Sequence, residues 1–313
     1  MSRVLNGAST VDLELAARVR TAVAETRYVP NSTGRALRRQ VSDTWAAVIS
    51  DVQNPFFTTM VAALQSVAAD EGFSVMLCNT DEQLDRERRY LEAAVSQRMS
   101  GVVIAVASES ESDLTPIATA RIPAVVVDRR LHDYEGDTVL VDNVLGGRQA
   151  AGHLFAEGYR RIACIAGPKH VSTTEDRLTG FRAALADAGR LLSPGYVRRA
   201  NLRAEGGESA MRSLLAMPEP PDAVFSTNGP LTSGAYQAIR EALPAAEIGL
   251  VGVDDDQWTR MVTPTVSVVA QPVAEIGRLA GALLAQRSRS PEEPSRHAVL
   301  EPRLLVRESS RRR

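Results

Sequence analysis

Thr44-Trp45-Ala46-Ala47-Val48-Ile49-Ser50-Asp51-Val52-Gln53-Asn54-Pro55-Phe56-Phe57 is the stretch that decides the fold. A short apolar run ends at Ser-Asp, turns through Asn-Pro, and gives way to an amphipathic helical window at 58–71. The pattern then recurs along the chain. Apolar runs at 45–50, 74–78, 102–105, 124–127, 139–141, 162–166, 223–226, 248–253 and 266–269 predict strands. Helical windows fall between many of them, at 58–71, 84–98, 146–157, 177–188, 206–216, 232–242 and 275–286. Strands separated by single helices predict parallel sheets in a doubly wound α/β arrangement. Nine strands exceed the need of one such half, so two similar lobes are expected, dividing near Asp142. Ligands in such sheets bind beyond the carboxyl ends of the strands. That directs attention to the loops 51–57, 79–81, 128–131, 167–177, 227–231, 254–258 and 271–273.

Outside this body, Leu13, Ala16, Ala17, Val19, Ala22 and Val23 recur at helical spacing, with Asp12 as an expected N-cap and Pro30 beyond the end. Residues 31–40 are polar and Arg-rich and predict a linker, at best a marginal helix. The 288–296 stretch reads as a surface loop and 309–313 as a frayed tail.

A chain of 313 residues, 44% hydrophobic and 24% charged, suits two or three soluble compact units with sizeable cores. Its net charge of −2 excludes polyanion binding by bulk charge. The distribution is uneven, however. Residues 1–40 carry seven Arg against Asp12, Glu14 and Glu25, a net of +4. A basic end on an acidic body fits a nucleic-acid-facing tip; a solvated basic helix fits the charge alone equally well. Cys78 and Cys164 each sit inside an apolar run and read as small buried hydrophobes, not as a disulfide or metal site. There is no N-terminal apolar stretch of signal-peptide kind and no run of about eighteen apolar residues, so a cytoplasmic protein with no membrane partner is expected.

Motifs for chemistry are sparse. Neither Gly-x-Gly-x-x-Gly nor Gly-x-x-x-x-Gly-Lys follows an expected strand, His132, His153, His170 and His297 lack metal-ligand spacing, and no Gly-x-Ser-x-Gly elbow is present. No cofactor, metal or catalytic residue is expected. The strand-end loops carry more. Phe56 and Phe57 are either core aromatics closing a turn or an aromatic wall for a ring-shaped ligand. Asp128-Arg129-Arg130 could hold hydroxyl groups bidentately or form a surface ion pair. Arg177 opens a helix after a long loop. Asp254 ends an apolar strand, where a charge costs desolvation unless partnered, which favours a cleft-facing role. Asp128, Arg129, Arg177, Asn228 and Asp254 converging beneath an aromatic lid suit a small polyol. An α/β enzyme using Asp128 or Asp254 as base is the rival from another class.

Taken in order, a set of short stretches resembles the lactose-repressor-type (LacI/GalR) family over nearly the whole chain. They are Ser2-Arg3-Val4-Leu5-Asn6-Gly7, Tyr28-Val29-Pro30-Asn31, Asn54-Pro55-Phe56-Phe57, Gly101-Val102-Val103-Ile104, Gly152-His153-Leu154, Gly158-Tyr159-Arg160-Arg161-Ile162, Gly167-Pro168, Arg177-Leu178, Gly180-Phe181, Gly252-Val253-Asp254-Asp255, Gln271-Pro272 and Leu305-Val306-Arg307-Glu308-Ser309. The resemblance implies a homodimeric regulator, most simply a repressor. Its operator affinity would follow a small sugar-like effector held between two periplasmic-binding-protein-like lobes. By position it implies a headpiece at 1–30, a hinge at 31–42, one lobe at 43–142 plus 273–300, the other at 143–272 plus 301–308, and a tail at 309–313. Phe56, Asn79, Asp128, Arg129, Thr173, Arg177, Asn228 and Asp254 would line the effector cleft. Ser2, Arg3, Asn6, Tyr28, Asn31, Thr33, Gly34 and Leu37 would face DNA, Leu37 as a minor-groove wedge.

Three departures qualify the transfer. Asn228-Gly229-Pro230 stands where the family has Asn-Asp, and an aromatic usual near Leu202 is missing, so a smaller or less stacked ligand is expected. Gly34 stands where alanine is usual and costs about 0.8–1 kcal/mol in a helix interior, so the hinge helix is expected only on DNA. Met1 falls inside the family's recognition helix, where valine is common. The expected explanation is a true start about twenty residues upstream. The alternative is a headless sugar-binding dimer without specific DNA contact.

Overall fold

The computed structural model describes residues 12–26, 42–242 and 248–312, in two units, Met1–Ser42 and Asp43–Arg313. Ser2, Arg3, Asn6, Tyr28, Asn31, Thr33, Gly34 and Leu37 lie outside the described residues, as do the expected start of the headpiece and the hinge helix. In the first unit, α1 (Leu13–Thr26) is capped by Asp12, whose Oδ1 accepts the N–H groups of Glu14 and Leu15 at 3.0 and 3.1 Å.

The second unit begins with β1 (Thr44–Ile49), α2 (Pro55–Asp70), β2 (Ser74–Asn79), α3 (Leu84–Ser96), β3 (Gly101–Ile104), α4 (Thr115–Thr119), β4 (Ala124–Val127) and β5 (Asp137–Val141). It continues with α5 (Asn143–Ala156), β6 (Ile162–Ala166), α6 (Ser172–Asp187), β7 (Val197–Arg199), α7 (Ala204–Leu215), β8 (Ala223–Ser226), α8 (Gly229–Ala242), β9 (Gly249–Val253), α9 (Trp258–Met261) and β10 (Ser267–Ala270). Helix α10 (Val273–Arg289) and strands β11 (His297–Leu300) and β12 (Arg303–Leu305) complete it.

Two six-stranded sheets result, ordered β11-β5-β4-β3-β1-β2 and β12-β10-β9-β8-β6-β7. Every pairing is parallel except that of β12 with β10. Setting aside β11 and β12, both lobes repeat one order: second, first, third, fourth, fifth. The chain passes between the lobes three times, near Asp142, at Gln271-Pro272 and at Glu301-Pro302.

Helices cover both faces of each sheet, which is why Ala46, Val48, Val103 and Val125 read as unbroken apolar runs. In the first lobe, Trp45, Met60 and Leu64 pack with Ile276, Ala280 and Leu284 of α10, while Leu91, Ile104 and Ile117 fill the other face. In the second, Phe181 stacks on Phe225 at 5.0 Å on one face and Met211, Leu214 and Leu231 lie on the other. Cys78 and Cys164 are buried and unbonded.

The sequence undercounts in predictable places. Strands β7, β11 and β12 and the five-residue α4 were not expected, because they are short and the three strands sit at or beside sheet edges. Helices start earlier than their periodicity shows. Asn54 caps α2 at Pro55, Asp142 caps α5 by accepting the Leu145 N–H at 2.8 Å, and α6 begins at Ser172, five residues before Arg177. The tail is not frayed through its length. Glu308–Ser310 forms a short 3₁₀ turn, with Ser309 Oγ donating to the Leu250 carbonyl at 2.6 Å and Ser310 Oγ to Ser267 Oγ at 2.6 Å.

Candidate functional site

The loops at the carboxyl ends of both sheets meet around a cavity of about 340 Å³, within the ~300–1,000 Å³ usual for small-ligand sites. The first lobe supplies Asp51 after β1, Phe56 and Phe57 from α2, Asp81 and Glu82 after β2, and Asp128 and Arg129 after β4. The second supplies His170, Thr173 and Arg177 around the start of α6, Arg203 after β7, Asn228 after β8 and Asp254 after β9. Gln271 enters where the chain crosses between the lobes.

Seven of the eight expected cleft residues therefore line one space: Phe56, Asp128, Arg129, Thr173, Arg177, Asn228 and Asp254. Asn79 does not. It ends β2, and its Oδ1 accepts the Val52 N–H at 3.0 Å, tying two strand-end loops together. Phe56 and Phe57 pack edge-to-face at 5.0 Å in the first lobe's core and also line the cavity. Asn228 Oδ1 is committed to capping α8 through the Leu231 N–H at 2.8 Å.

Arg177, buried to 4% exposure, is held from both sides: Nε donates to Asn143 Oδ1 at 2.8 Å and Nη1 to the Thr227 carbonyl at 2.7 Å. Burial pulls its pKa down, opposed by the carboxylates of Asp254 and Asp128.

Asp128 and Asp254 are counterparts. Each follows the fourth strand of its lobe in left-handed backbone, with φ of 66° and 71°. Each donates its N–H to a valine of the fifth strand, Val139 at 3.3 Å and Val269 at 3.1 Å. Asp81 and Glu82 are also left-handed, at φ 54° and 58°. Non-glycine residues in that region cost on the order of 1 kcal/mol and concentrate at ligand sites. Burial pushes Asp128 up to about 6, with Arg129 and Arg177 holding it down and Glu82 and Asp254 adding to the rise. Burial also raises Asp254, against Arg177, Gln271 Nε2 at 2.7 Å and the Gly229 N–H.

Of the two readings left open for Arg129, a bidentate hold on hydroxyl groups or an ion pair, the structure shows an ion pair, buried rather than on the surface. Nη1 and Nη2 of Arg129 grip Glu82 at 2.6 and 2.7 Å, because a guanidinium at 3% exposure needs a full counter-charge. Burial alone would lower its pKa; the Glu82 carboxylate outweighs that and raises it. Three further contacts clasp the lobes. Arg203 reaches Asp51 at 3.1 Å and also Asp81, Arg130 meets Asp176 at 3.0 Å, and Glu109 Oε1 accepts the Ser172 N–H at 2.6 Å.

Sequence reasoning missed Asp51, Asp81 and Gln271 as individuals although their loops were singled out. It weighed His170 only as a metal ligand and passed over Glu82 and Arg203. Arg203 follows β7, a strand not expected from the sequence, although the family resemblance had pointed to its neighbour Leu202. Among the described residues no group of three or more His, Cys, Asp and Glu could hold a metal ion, and no helix is long and apolar enough to cross a membrane.

Paired α/β lobes with polar groups converging from both onto one cavity define a two-lobed small-molecule binding protein. Residues 42–286 match the family described as periplasmic binding proteins and sugar binding domain of LacI family. The ribose operon repressor of Escherichia coli (strain K12) is 31% identical over 315 residues, covering 99% of this chain and 95% of that protein. Among solved structures, the complex of the transcriptional regulator CelR with cellobiose superposes with a TM-score of 0.78 at 30% identity, covering 98% of this chain and 94% of that one. The lac repressor dimer bound to operator and an anti-inducer shares the fold, with a TM-score of 0.87 at 24% identity, covering 99% and 94%. The chain belongs to the LacI family. It is an effector-controlled transcriptional repressor, not an enzyme.

Proposed function

We propose that this repressor is a cytoplasmic homodimer that binds operator DNA through Met1–Ser42 and takes a small sugar or related polyol as its effector. The observation that carries the effector reading is the convergence of Arg177 with Asp128 and Asp254, one carboxylate from each lobe, at a single cavity. Carboxylates accept hydroxyl donors and a guanidinium donates to hydroxyl and ring oxygens, so the set suits a polyol. Phe56 and Phe57 offer apolar surface to a ring face, and Thr173 and Asn228 add polar contacts. Asp81 and Glu82 take the place expected of Asn79. The lobes are assigned to 43–142 plus 273–300 and 143–272 plus 301–308, with the three crossings as the hinge. Ser2, Arg3, Asn6, Tyr28, Asn31, Thr33, Gly34 and Leu37 are assigned to DNA by their positions in the family pattern.

Calorimetric titration of the purified chain with a panel of pentoses, hexoses and disaccharides tests the effector reading. Saturable binding lost in Arg177→Ala is expected; binding unaffected by that change removes the cleft from the mechanism. Fluorescence anisotropy on duplex DNA from the gene's own upstream region, with and without the bound sugar, tests the regulator reading. Salt-sensitive binding that prefers this duplex to random sequence and shifts with sugar is expected. A sugar that binds without any sequence-selective DNA binding favours a sugar-binding dimer without specific DNA contact.

A further inference from the structure

The cleft is unevenly charged. Asp51, Asp81, Glu82, Asp128 and Asp254 line it against Arg129, Arg177 and Arg203, a formal charge of −2 with His170 neutral. The guanidinium groups are also already engaged. Arg129 is held bidentately by Glu82, with Asp128 3.8 Å from its Nε, and Arg203 spans Asp51 and Asp81. Arg177 gives two nitrogens to protein oxygens and stands in the field of both Asp128 and Asp254. No positive group in the cavity is free of a neighbouring carboxylate.

We infer that the cleft selects its effector by charge: it admits uncharged or ammonium-bearing polyols and excludes the phosphorylated or carboxylated forms of the same sugars. The inference rests on the cleft being the effector site. A phosphate ester brings a charge of about −1.5 to −2 at neutral pH. Inside a confined cavity that charge would have to displace Glu82 from Arg129 or the two aspartates from Arg203, or else approach Arg177 against the charges of Asp128 and Asp254, to find a counter-ion. Hydroxyl groups need no such exchange. They donate to Asp128, whose nearest cation Arg129 Nε lies 3.8 Å away, and to the acceptor capacity that Asp254 keeps beyond Gln271 and the Gly229 N–H, from opposite lobes. An ammonium group would meet the same carboxylates with opposite charge.

Calorimetry on the full chain with matched series separates these cases: D-glucose, D-glucosamine, D-glucuronate and D-glucose 6-phosphate, and D-ribose with D-ribose 5-phosphate. In whichever series binds, the phosphorylated and carboxylated members are expected at least 100-fold weaker than the neutral one, and the amino sugar within tenfold of it. A phosphorylated or carboxylated member binding as tightly as its neutral counterpart overturns the inference. If no sugar of any series binds, the polyol reading fails separately, and inorganic phosphate still reads the charge. Wild type is expected to show no saturable phosphate binding that Arg177→Ala removes. The Asp81→Asn/Glu82→Gln double variant, judged folded by near-ultraviolet circular dichroism, is expected to gain phosphate binding through Arg129, released from Glu82, and Arg203, left with Asp51 alone. Phosphate binding in the wild-type cleft, or none gained by the folded double variant, overturns the charge argument.

Discussion

Asp128→Asn should stabilise the ligand-free protein at neutral pH while weakening it as a receptor. The carboxylate lies at the end of β4, its nearest counter-charge Arg129 Nε at 3.8 Å, and its pKa is pushed up to about 6 from an ordinary 3.8. A shift of about two units corresponds to about 3 kcal/mol, an upper figure because 11% of the side chain stays open to the cavity. The sign follows from linkage. Between pH 3.8 and about 6 the folded protein keeps a proton that the unfolded chain has released, so stability falls as pH rises through that window. Above it the whole cost is present. Asparagine is nearly isosteric, tolerates the left-handed φ of 66° and cannot ionise. Urea unfolding of both proteins at several pH values between 5 and 8, followed by circular dichroism, should show Asp128→Asn more stable at pH 7 by up to about 3 kcal/mol, with the gap narrowing towards pH 5. The same change removes a charge-assisted hydrogen bond to a ligand hydroxyl, worth about 1.5–3 kcal/mol, or roughly 10- to 100-fold in affinity. A variant that tracks the wild-type pH profile, or is less stable at pH 7, would show that Asp128 is not held at a desolvation cost.

Affinity for an uncharged sugar should rise as pH increases through about 6, because hydroxyl donors favour the ionised Asp128. Titrations from pH 5 to 8 check this, and a flat wild-type profile contradicts it. Arg203→Ala removes ion pairs to Asp51 and Asp81 across the cleft. Partly exposed pairs are worth about 0.2–1 kcal/mol each, so sugar release measured by stopped flow should quicken a few-fold, and its dependence on salt should shrink; an unchanged rate would remove the clasp from closure. Gly180→Ala would place a methyl group 1.9 Å from the Val144 carbonyl oxygen, where α5 and α6 meet. Forcing the helices apart should cost about 1–3 kcal/mol or more, read as a lower thermal midpoint, and an unshifted midpoint would mean that the contact is not close.

The sequence made nine strands legible, most of them because parallel strands covered on both faces carry few polar positions, and β2, at a sheet edge, through its apolar Val75-Met76-Leu77. Val102, Val103 and Ile104, all fully or nearly fully buried, leave no other reading. Val197-Arg198-Arg199 and His297-Ala298-Val299-Leu300 gave no such signal. They are recruited to sheet edges by β6 and β5, and none of their residues is fully buried. The same limit governs the site. Asp128 and Asp254 were visible because a carboxylate closing an apolar run is costly unless something requires it. That Glu82 would occupy Arg129, and that Arg203 would bridge to Asp51 and Asp81, was not visible, since each pair joins loops that only the folded sheets or the approach of the lobes brings together.

The repeated strand order has an energetic consequence for switching. It delivers one aspartate per lobe to the cavity by the same backbone device, so bringing the lobes together also brings two like charges together; Asp254 adds to the raised pKa of Asp128. Arg177, which comes from the second lobe alone, breaks the symmetry; it outweighs that repulsion at Asp128 but not the burial that raises both carboxylates. A closed, empty cleft is therefore short of donors, with Arg203, Arg130 and Glu109 as the clasps that resist reopening. A polyol supplies hydroxyl donors to both carboxylates at once, and it can do so only when the lobes are near enough for one molecule to reach both. Its affinity for the closed arrangement must then exceed that for the open one, and that difference is what a ligand needs in order to shift a conformational equilibrium. A ligand satisfied by one lobe alone would bind without moving the hinge.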